Sequence, residues 1–462
     1  MKICVLQPDY STSDVDYKSY DPPRDLSPYL PGDTVDHVFL NKLHTYKRLK
    51  ELSHKDYDIF VNLCEGYLDW AVPSIDVPYF LEMLQLPYTG PDTRVYDPSK
   101  ELMKYVAYTV DVDTPSYAVL HCEDVITAGI KDLSFPLFVK PAKAGDSLGI
   151  DYDSLVTNPA QLATKVSSLF KEYDEVLVEE YIEGREFTVL VVALAGRKDC
   201  HAYNPVEYIF PDSCHFKTYS LKTKELHPNA NIPCTDLALG ESLKKAAKDI
   251  FKGFEGVGYA RLDFRLNSEG RIFFLEINFT CSVFYTNGYE GSADYILKFE
   301  PEGAAGFLRK IIEEGISRYT LRHKCYKVKG NAISGYGLSA TRSIPVNAII
   351  FEGEGKAQRV ISRAFIEKHW TPSEQLAFRR YAYPVGRDVF LLWDLDPGEW
   401  APQNHSCDPN TRFDGLNVIA TKDITPGQEL TLDYVTFLDS NMEPFNCNCA
   451  SEKCRGRIEF FN

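Results

Sequence analysis

Short apolar runs alternate with stretches of helical periodicity over the first hundred residues. Lys2–Leu6 reads as a strand, His37–Leu52 as a helix and Tyr57–Leu63 (YDIFVNL) as a second strand. Val77–Leu84 reads as a helix leading into the turn LPYTGPD. Strands alternating with helices predict a small parallel α/β layer. Helical residues around Ser99–Val110 then lead to Pro115. Between residues 115 and 315 the strands lengthen: FPLFVKP, EVLVEEYI, FTVLVVALAG, GYARLDFRL and RIFFLEINF. Helices are expected at Pro159–Glu172, Leu237–Phe251 and Ala304–Ser317. The polar stretch Asn204–Ile232 has little pattern and reads as a long functional loop. After Arg322, short strands with frequent Gly and Pro and few helices predict a β-rich region. The expected domains are 1–100, 101–320 and 321–462.

Composition narrows the class. The 462 residues are 44% hydrophobic and 25% charged, with no run of eighteen apolar residues, so a transmembrane helix is not expected. The start MKICVLQPDY lacks the pattern of a secretory signal. The expected location is intracellular and cytoplasmic, with the nucleus left open. The net charge of -16 is uneven: residues 322–462 carry about 17 basic and about 17 acidic side chains, so the acidity lies before them. An acidic first part disfavours direct nucleic-acid binding, which needs basic surface to neutralise phosphates. No membrane partner is expected. Of the 12 cysteines, eight are scattered while Cys407, Cys447, Cys449 and Cys454 fall close together, a pattern of reduced thiols beside a metal site.

Two adjacent strands carry the strongest carboxylates. YARLDFRL and RIFFLEINF, joined by a short turn, form a hairpin that brings Asp263 towards Glu276 and Asn278. Glu276 and Asn278 are two apart and share a face. Three hard oxygen donors suit Mg²⁺; the plain alternative is an amphipathic hairpin with solvated polar teeth. Lys140 ends an apolar strand before AKAGDSLGI, and Lys100 begins a helix. Either lysine alone would read as a surface charge; together they make a phosphate cradle.

The ordered motifs LPYTGPD, Lys100, FVKPAKAGDSLGI, VLVEEYIEGREFTV, GYARLDF and FLEIN resemble the D-alanine–D-alanine ligase branch of the ATP-grasp superfamily over residues 55–315. The resemblance implies an ATP-grasp α+β fold behind the parallel layer. It implies that Glu179 and the backbone near Ile182 hold adenine, and Glu186 the ribose. Lys100 and Lys140 would contact ATP phosphates, with Ser147 in the phosphate loop and Lys222 in a mobile covering loop. Asp263, Glu276 and Asn278 would hold Mg²⁺, and Arg261 would stabilise the transition state to an acyl phosphate. The chain departs from the family in three places. FTCSVFYTNG replaces the Gly-rich turn after EIN, Asp146–Ser147 replaces a serine pair, and LQPDYSTSD lacks the first Gly-rich turn. D-alanine is therefore not the expected substrate. Glu65 in NLCEG either receives a substrate ammonium or caps a turn.

The end of the chain carries a second set. Cys447-x-Cys449-x₄-Cys454 supplies three zinc thiolates, and Cys407 in NHSCDPN is the candidate for the fourth. SGYGLSATRSI, NHSCDPN, GQELTLDY and CNCASEKCRG resemble the SET family of lysine methyltransferases with its post-SET zinc segment. The resemblance implies a β-rich SET domain. Gly335 and Gly337 would let the backbone approach S-adenosylmethionine, Asn404 and His405 would hold that cofactor, and Tyr434 would orient the substrate amine. Leu432 stands where many relatives carry Phe or Tyr, which either permits more than one methyl transfer or marks simple packing.

Together these features imply a bifunctional enzyme. One part would be an ATP-dependent carboxylate–amine ligase and the other an S-adenosylmethionine-dependent N-methyltransferase acting on an amino acid, a peptide or a protein lysine. The alternatives are a lysine methyltransferase whose ATP-grasp part only binds nucleotide or substrate, and a pair of binding modules. Relatives of the ligase often dimerise, but the sequence itself leaves the oligomeric state open.

Overall fold

Strand β1 (Lys2–Pro8) is buried along almost its whole length because it is the centre of a parallel sheet, between β2 (Thr34–Leu40) and β3 (Ile59–Asn62). The computed structural model describes residues 1–11, 21–66, 71–121, 129–143, 148–196, 199–210, 216, 230–286, 288–322, 324–331, 334–355, 358–386, 388–392, 403–436 and 444–459. They divide into two units, residues 1–321 and 322–462.

In the first unit, α1 (Thr45–Leu52) and α2 (Asp76–Met83) accompany the parallel sheet. The expected helix over His37–Leu52 is half right. Residues 37–40 complete β2, whose inward positions Val38 and Leu40 alternate with exposed ones, and the helix begins only at Thr45. The period of two in TVDHVFL outweighs its proximity to the helix.

Helix α3 (Lys100–Thr109) is capped by Ser99, which accepts from the Leu102 N–H at 3.2 Å. A four-stranded antiparallel sheet follows in the order β4 (Tyr117–Leu120), β7 (Val176–Glu180), β5 (Leu137–Pro141) and β6 (Leu155–Val156), packed on α4 (Pro159–Leu169). The larger sheet runs β11 (Asn231–Pro233), β10 (Val206–Tyr208), β8 (Arg185–Ala193), β12 (Tyr259–Leu266) and β13 (Ile272–Asn278), with β9 (Cys200–Ala202) also paired to β8. Strands β10 and β11 fall within the stretch 204–232 expected to be a loop; residues 211–215 and 217–229 of it lie outside the described set. Three-residue strands carry too few alternations to be seen in sequence.

Strand β8 explains how the unit holds together. Phe187, Val189 and Val191 face α3 and α5 (Leu237–Gly253), while Leu190 and Val192 face the parallel sheet and α7 (Gly303–Arg322). A strand buried on both faces is mostly apolar, and the FTVLVVA stretch of β8 has Thr188 as its single polar side chain, buried with the rest. Helix α6 (Ser292–Phe299), unexpected from the sequence, buries Ala293, Ile296 and Leu297 in the same core.

The second unit is built of short strands. One sheet runs β14 (Tyr326–Asn331), β15 (Gly335–Ala340), β23 (Glu429–Leu432) and β20 (Asn404–His405). Others contain β16 (Ile349–Phe351), β22 (Asn417–Ala420) and β21 (Thr411–Asp414), and β17 (Arg359–Ser362), β19 (Val389–Leu392) and β18 (Tyr383–Gly386). Strands β24 (Phe445–Asn446) and β25 (Arg457–Ile458) pair near the end. Two helices, α8 (Arg363–His369) and α9 (Pro372–Tyr381), interrupt the strands. Helix α9 starts from a capping box, Thr371 with Glu374, and has Pro372 at its first position. Among the described residues no helix is long and apolar enough to cross a membrane.

Phe307 is fully buried, its ring 5.2 Å from Tyr259, 5.9 Å from Tyr203 and 5.8 Å from Phe284. Phe307→Ala is expected to cost about 3–5 kcal/mol, read as a lower urea midpoint for the first unit by circular dichroism.

Candidate active sites

The two antiparallel sheets of the first unit leave an open cleft of about 650 Å³ between them. The smaller sheet contributes Phe138, Lys140 and Glu179; the larger contributes Glu186, Asp263, Arg265 and Glu276. One end is aromatic. Phe138 and Tyr181 stack with centroids 6.3 Å apart, and Phe216 meets Phe138 edge-on at 5.0 Å. Such a cage offers faces to a flat heterocycle. Beside it, Arg265 reaches Glu186 Oε2 at 3.0 Å and the Ile182 carbonyl at 2.9 Å, so that carbonyl is engaged within the protein.

Glu179 is buried across the β5–β7 ladder from Phe138. Its Oε1 is 2.5 Å from Lys140 Nζ and its Oε2 is 2.8 Å from Lys104 Nζ. Burial alone would raise this carboxyl, but the two lysines outweigh it and hold it at about 2. Both oxygens expected to receive adenine are therefore occupied by lysines. Lys104 escaped the sequence reading, although its place one turn after Lys100, on an otherwise buried helix face, marks it.

Across the β12–β13 ladder Asp263 faces Glu276 and Arg261 faces Asn278. Arg261 grips Asp263 with Nη2 3.0 Å from Oδ2, and Asn278 Oδ1 accepts from the Thr280 N–H at 3.2 Å. Two carboxylates and an amide oxygen on one hairpin form a donor set suited to Mg²⁺, which keeps its remaining positions for water and phosphate. Glu276 also lines a second cleft of about 940 Å³ with Lys100, Tyr96, Met103, Asn278, Phe279 and Glu65. Glu276 is the only described residue common to both linings.

Burial lowers the Lys100 ammonium to about 8, against the pull of Glu276 and with the push of Lys140. Glu65 lines the second cleft with both carboxylate oxygens already engaged. Its oxygens are held by Arg24 Nη1 at 3.2 Å and by the Ser282 hydroxyl. Burial nevertheless lifts it to about 7, with Arg24 opposing. Arg24 is itself buried and also pairs with Asp21 at 3.2 Å. Ser147 and Lys222 lie outside the described residues.

In the second unit β20 and β23 run parallel, setting Asn404 beside Thr431 and His405 beside Leu432. Asn404 Nδ2 lies 2.7 Å from each of Ser334 Oγ, the Tyr336 carbonyl and Glu429 Oε1, three acceptors around its two N–H groups. Gly335 has φ +84 with open space around its missing side chain, whereas a Cβ on Gly337 would collide with Glu429 and Asn404. The bare backbone at Gly337 thus makes room for protein side chains, while Gly335 serves its positive φ and borders open space. Leu432 is buried in the unit's core. Tyr434 directs its hydroxyl to the Gln403 carbonyl at 2.6 Å and its N–H to His405 Nδ1 at 3.1 Å.

The four cysteines Cys407, Cys447, Cys449 and Cys454 come together with sulfurs all within 4.8 Å of one another. The Cys407–Cys447 separation is 3.8 Å, close to the edge of about 3.8 Å that a tetrahedron with Zn–S near 2.3 Å requires. Backbone N–H groups of Arg455 and Gly456 aim at Cys407 and Cys454 sulfurs from 3.3 and 3.4 Å, as thiolates prefer. The residues fit zinc.

These two constellations define an enzyme with an ATP-grasp part and a SET part. The family model "D-ala D-ala ligase C-terminus" matches residues 107–285, and the SET domain model matches residues 335–435. The D-alanine–D-alanine ligase of Aquifex aeolicus is 30% identical over 249 residues, covering 50% of this chain and 81% of that protein. That of Streptococcus agalactiae serotype Ia is 31% identical over 208 residues, 43% of this chain and 57% of its own length. The chain belongs to the D-alanine–D-alanine ligase family and carries a SET domain after it. Among solved structures, the Coxiella burnetii D-alanine–D-alanine ligase superposes with TM-score 0.52 at 18% identity, over 70% of this chain and 97% of that one. D-alanyl-alanine synthetase A of Vibrio cholerae gives 0.52 at 19% identity, over 69% and 99%. At such identities the likeness is one of fold.

Nucleotide binding should carry the signature of Lys100. A phosphate contact needs its charged form, so affinity for a non-hydrolysable ATP analogue is expected to weaken by up to about tenfold per pH unit above 8. Lys100→Arg, charged throughout, should flatten that slope in calorimetric titrations.

Proposed function

We propose that the chain joins a carboxylate to an amine at the expense of ATP in its first unit and methylates an amine with S-adenosylmethionine in its second. The ligase reading is supported above all by the meeting of the two clefts at Glu276. Lys140 and Asp263 stand on the nucleotide side; Lys100 and Asn278 stand on the other. A carboxylate seated in the second cleft would face the γ-phosphate across Glu276. Its oxygen attacks phosphorus, ADP leaves, and the resulting acyl phosphate is captured by an amine with loss of phosphate. Mg²⁺, when bound, offsets charge on the phosphoryl oxygens. Lys100 and Lys140 orient those oxygens, and Arg261 neutralises charge that develops at the carbonyl.

The methyltransferase reading is supported by the Asn404–His405 strand beside Tyr434 and by the cysteine cluster. Asn404 and His405 would hold S-adenosylmethionine. The Tyr434 phenol, fixed by the Gln403 carbonyl, would align an uncharged amine for in-line transfer, where alignment is the main contribution. Zinc would serve as a structural tie.

A second reading keeps the methyltransferase and makes the first unit a nucleotide- or substrate-binding platform. Two observations favour it. Glu65, a candidate for a substrate ammonium, is held by Arg24 and Ser282, and the family's Gly-rich turn is replaced by FTCSVFYTNG. Either reading places D-alanine outside the expected substrates.

Phosphate release with Mg²⁺, ATP and a panel of amino acids separates the two. The ligase reading expects amino-acid-dependent phosphate and an amide product, both reduced at least about a hundredfold in Glu276→Gln. Nucleotide binding without turnover across the panel would leave the platform reading. For the second unit, methyl transfer from labelled S-adenosylmethionine to lysine peptides should fall about a hundredfold in Tyr434→Phe, and an unchanged rate would remove Tyr434 from the role.

A further inference from the structure

We propose that Arg455 is a positioning residue that ties the order of the cysteine cluster to the orientation of Tyr434. The proposal rests on the methyltransferase reading of the second unit. Arg455 follows Cys454 directly, and its backbone N–H donates to Cys407 Sγ at 3.3 Å. Its guanidinium turns the other way and takes Asp433 in a two-pronged pair, Nη1 to Oδ1 at 2.9 Å and Nη2 to Oδ2 at 2.7 Å. One residue therefore touches both the cluster and the residue immediately before Tyr434. Planar pairing of this kind fixes direction as well as distance.

Asp433 passes that constraint on. It accepts from the Val435 N–H at 3.2 Å through its side chain, and its carbonyl accepts from the Thr436 hydroxyl at 2.7 Å, which sets the single turn Tyr434–Thr436. The Tyr434 N–H then donates to His405 Nδ1 at 3.1 Å. With Nδ1 accepting, the neutral ring carries its proton on Nε2, which lies 3.3 Å from Cys407 Sγ. The path closes on the cluster again. A third contact supports it: Phe445, two residues before Cys447, packs its ring 5.8 Å from His405 and 6.1 Å from Tyr434.

The geometry assigns a consequence to metal occupancy. Four sulfurs gathered on zinc hold the Cys454–Gly456 turn, hence Arg455, hence the turn bearing Tyr434. Releasing the metal frees the same sequence of contacts. The pair is half-exposed at Arg455 (39%) and nearly buried at Asp433 (14%). Its loss should alter orientation without unfolding the unit.

The test uses the full chain labelled with 3-fluorotyrosine, the Tyr434 signal being assigned by its absence in Tyr434→Phe. In the wild type, removal of zinc by a chelator should shift the Tyr434 fluorine resonance. In Arg455→Met the resonance should already be shifted while one zinc per chain is retained. S-adenosylmethionine affinity should fall about tenfold, with partial rescue in Arg455→Lys. Asp433→Asn should reproduce the effect, and the double variant should add nothing to it. An unmoved resonance in Arg455→Met overturns the proposal, as does loss of zinc from that variant, which would make Arg455 a support of the cluster alone. Absence of S-adenosylmethionine binding by the wild type would sink the methyltransferase reading, while the fluorine signal would still judge the Arg455 contact.

Discussion

Glu179 is buried with an ammonium group on each oxygen, and the shape of the cleft between the two antiparallel sheets follows from that arrangement. One lysine comes from α3, the other from β5, and the carboxylate from β7. Charges taken this far from water are tolerated only as a set; removing one partner from such a pair typically costs about 3–5 kcal/mol. The set therefore fixes where α3 stands against the small sheet. It places Lys140 at the cleft, and through α3 it carries Lys100 into the neighbouring one. The aromatic cage of Phe138, Tyr181 and Phe216 and the Arg265–Glu186 pair build the remaining wall around this fixed end.

Much of this was legible in sequence because its causes are local. Strands buried on both faces leave little room for polar side chains, and β8 reads as the apolar run VLVVA after Thr188. The acids of β12 and β13 stood out because they interrupt such runs, and their spacing gave the shared face. The cysteine spacing announced the cluster in the same way. What could not be read is what depends on distant pairing. Lys104 is an ordinary helix residue until β7 brings Glu179 to it. Arg24 is a loop residue until Glu65, the Leu63 carbonyl and the Val283 carbonyl converge on it from two other parts of the chain. Strand β2 was taken into a helix because a partly exposed edge strand offers only two inward residues to mark its period.

The second unit relies on a different economy. Its strands are short, its core small, and its functional residues are held by hydrogen bonds. Asn404 spends its amide on three protein acceptors, and Tyr434 is fixed at both its N–H and its hydroxyl. Where so little apolar surface is available, four cysteines gathered at zinc-compatible spacing are placed to supply order that packing cannot.

The two clefts of the first unit meet at one side chain, Glu276, and their other described walls are separate. This makes the chain unequal in its tolerance of change. Residues such as Tyr96 and Asp97 line the second cleft and not the first. The lining of one cleft can therefore be altered while the lining of the other keeps its residues, and Glu276 is the one described position at which a single change touches both.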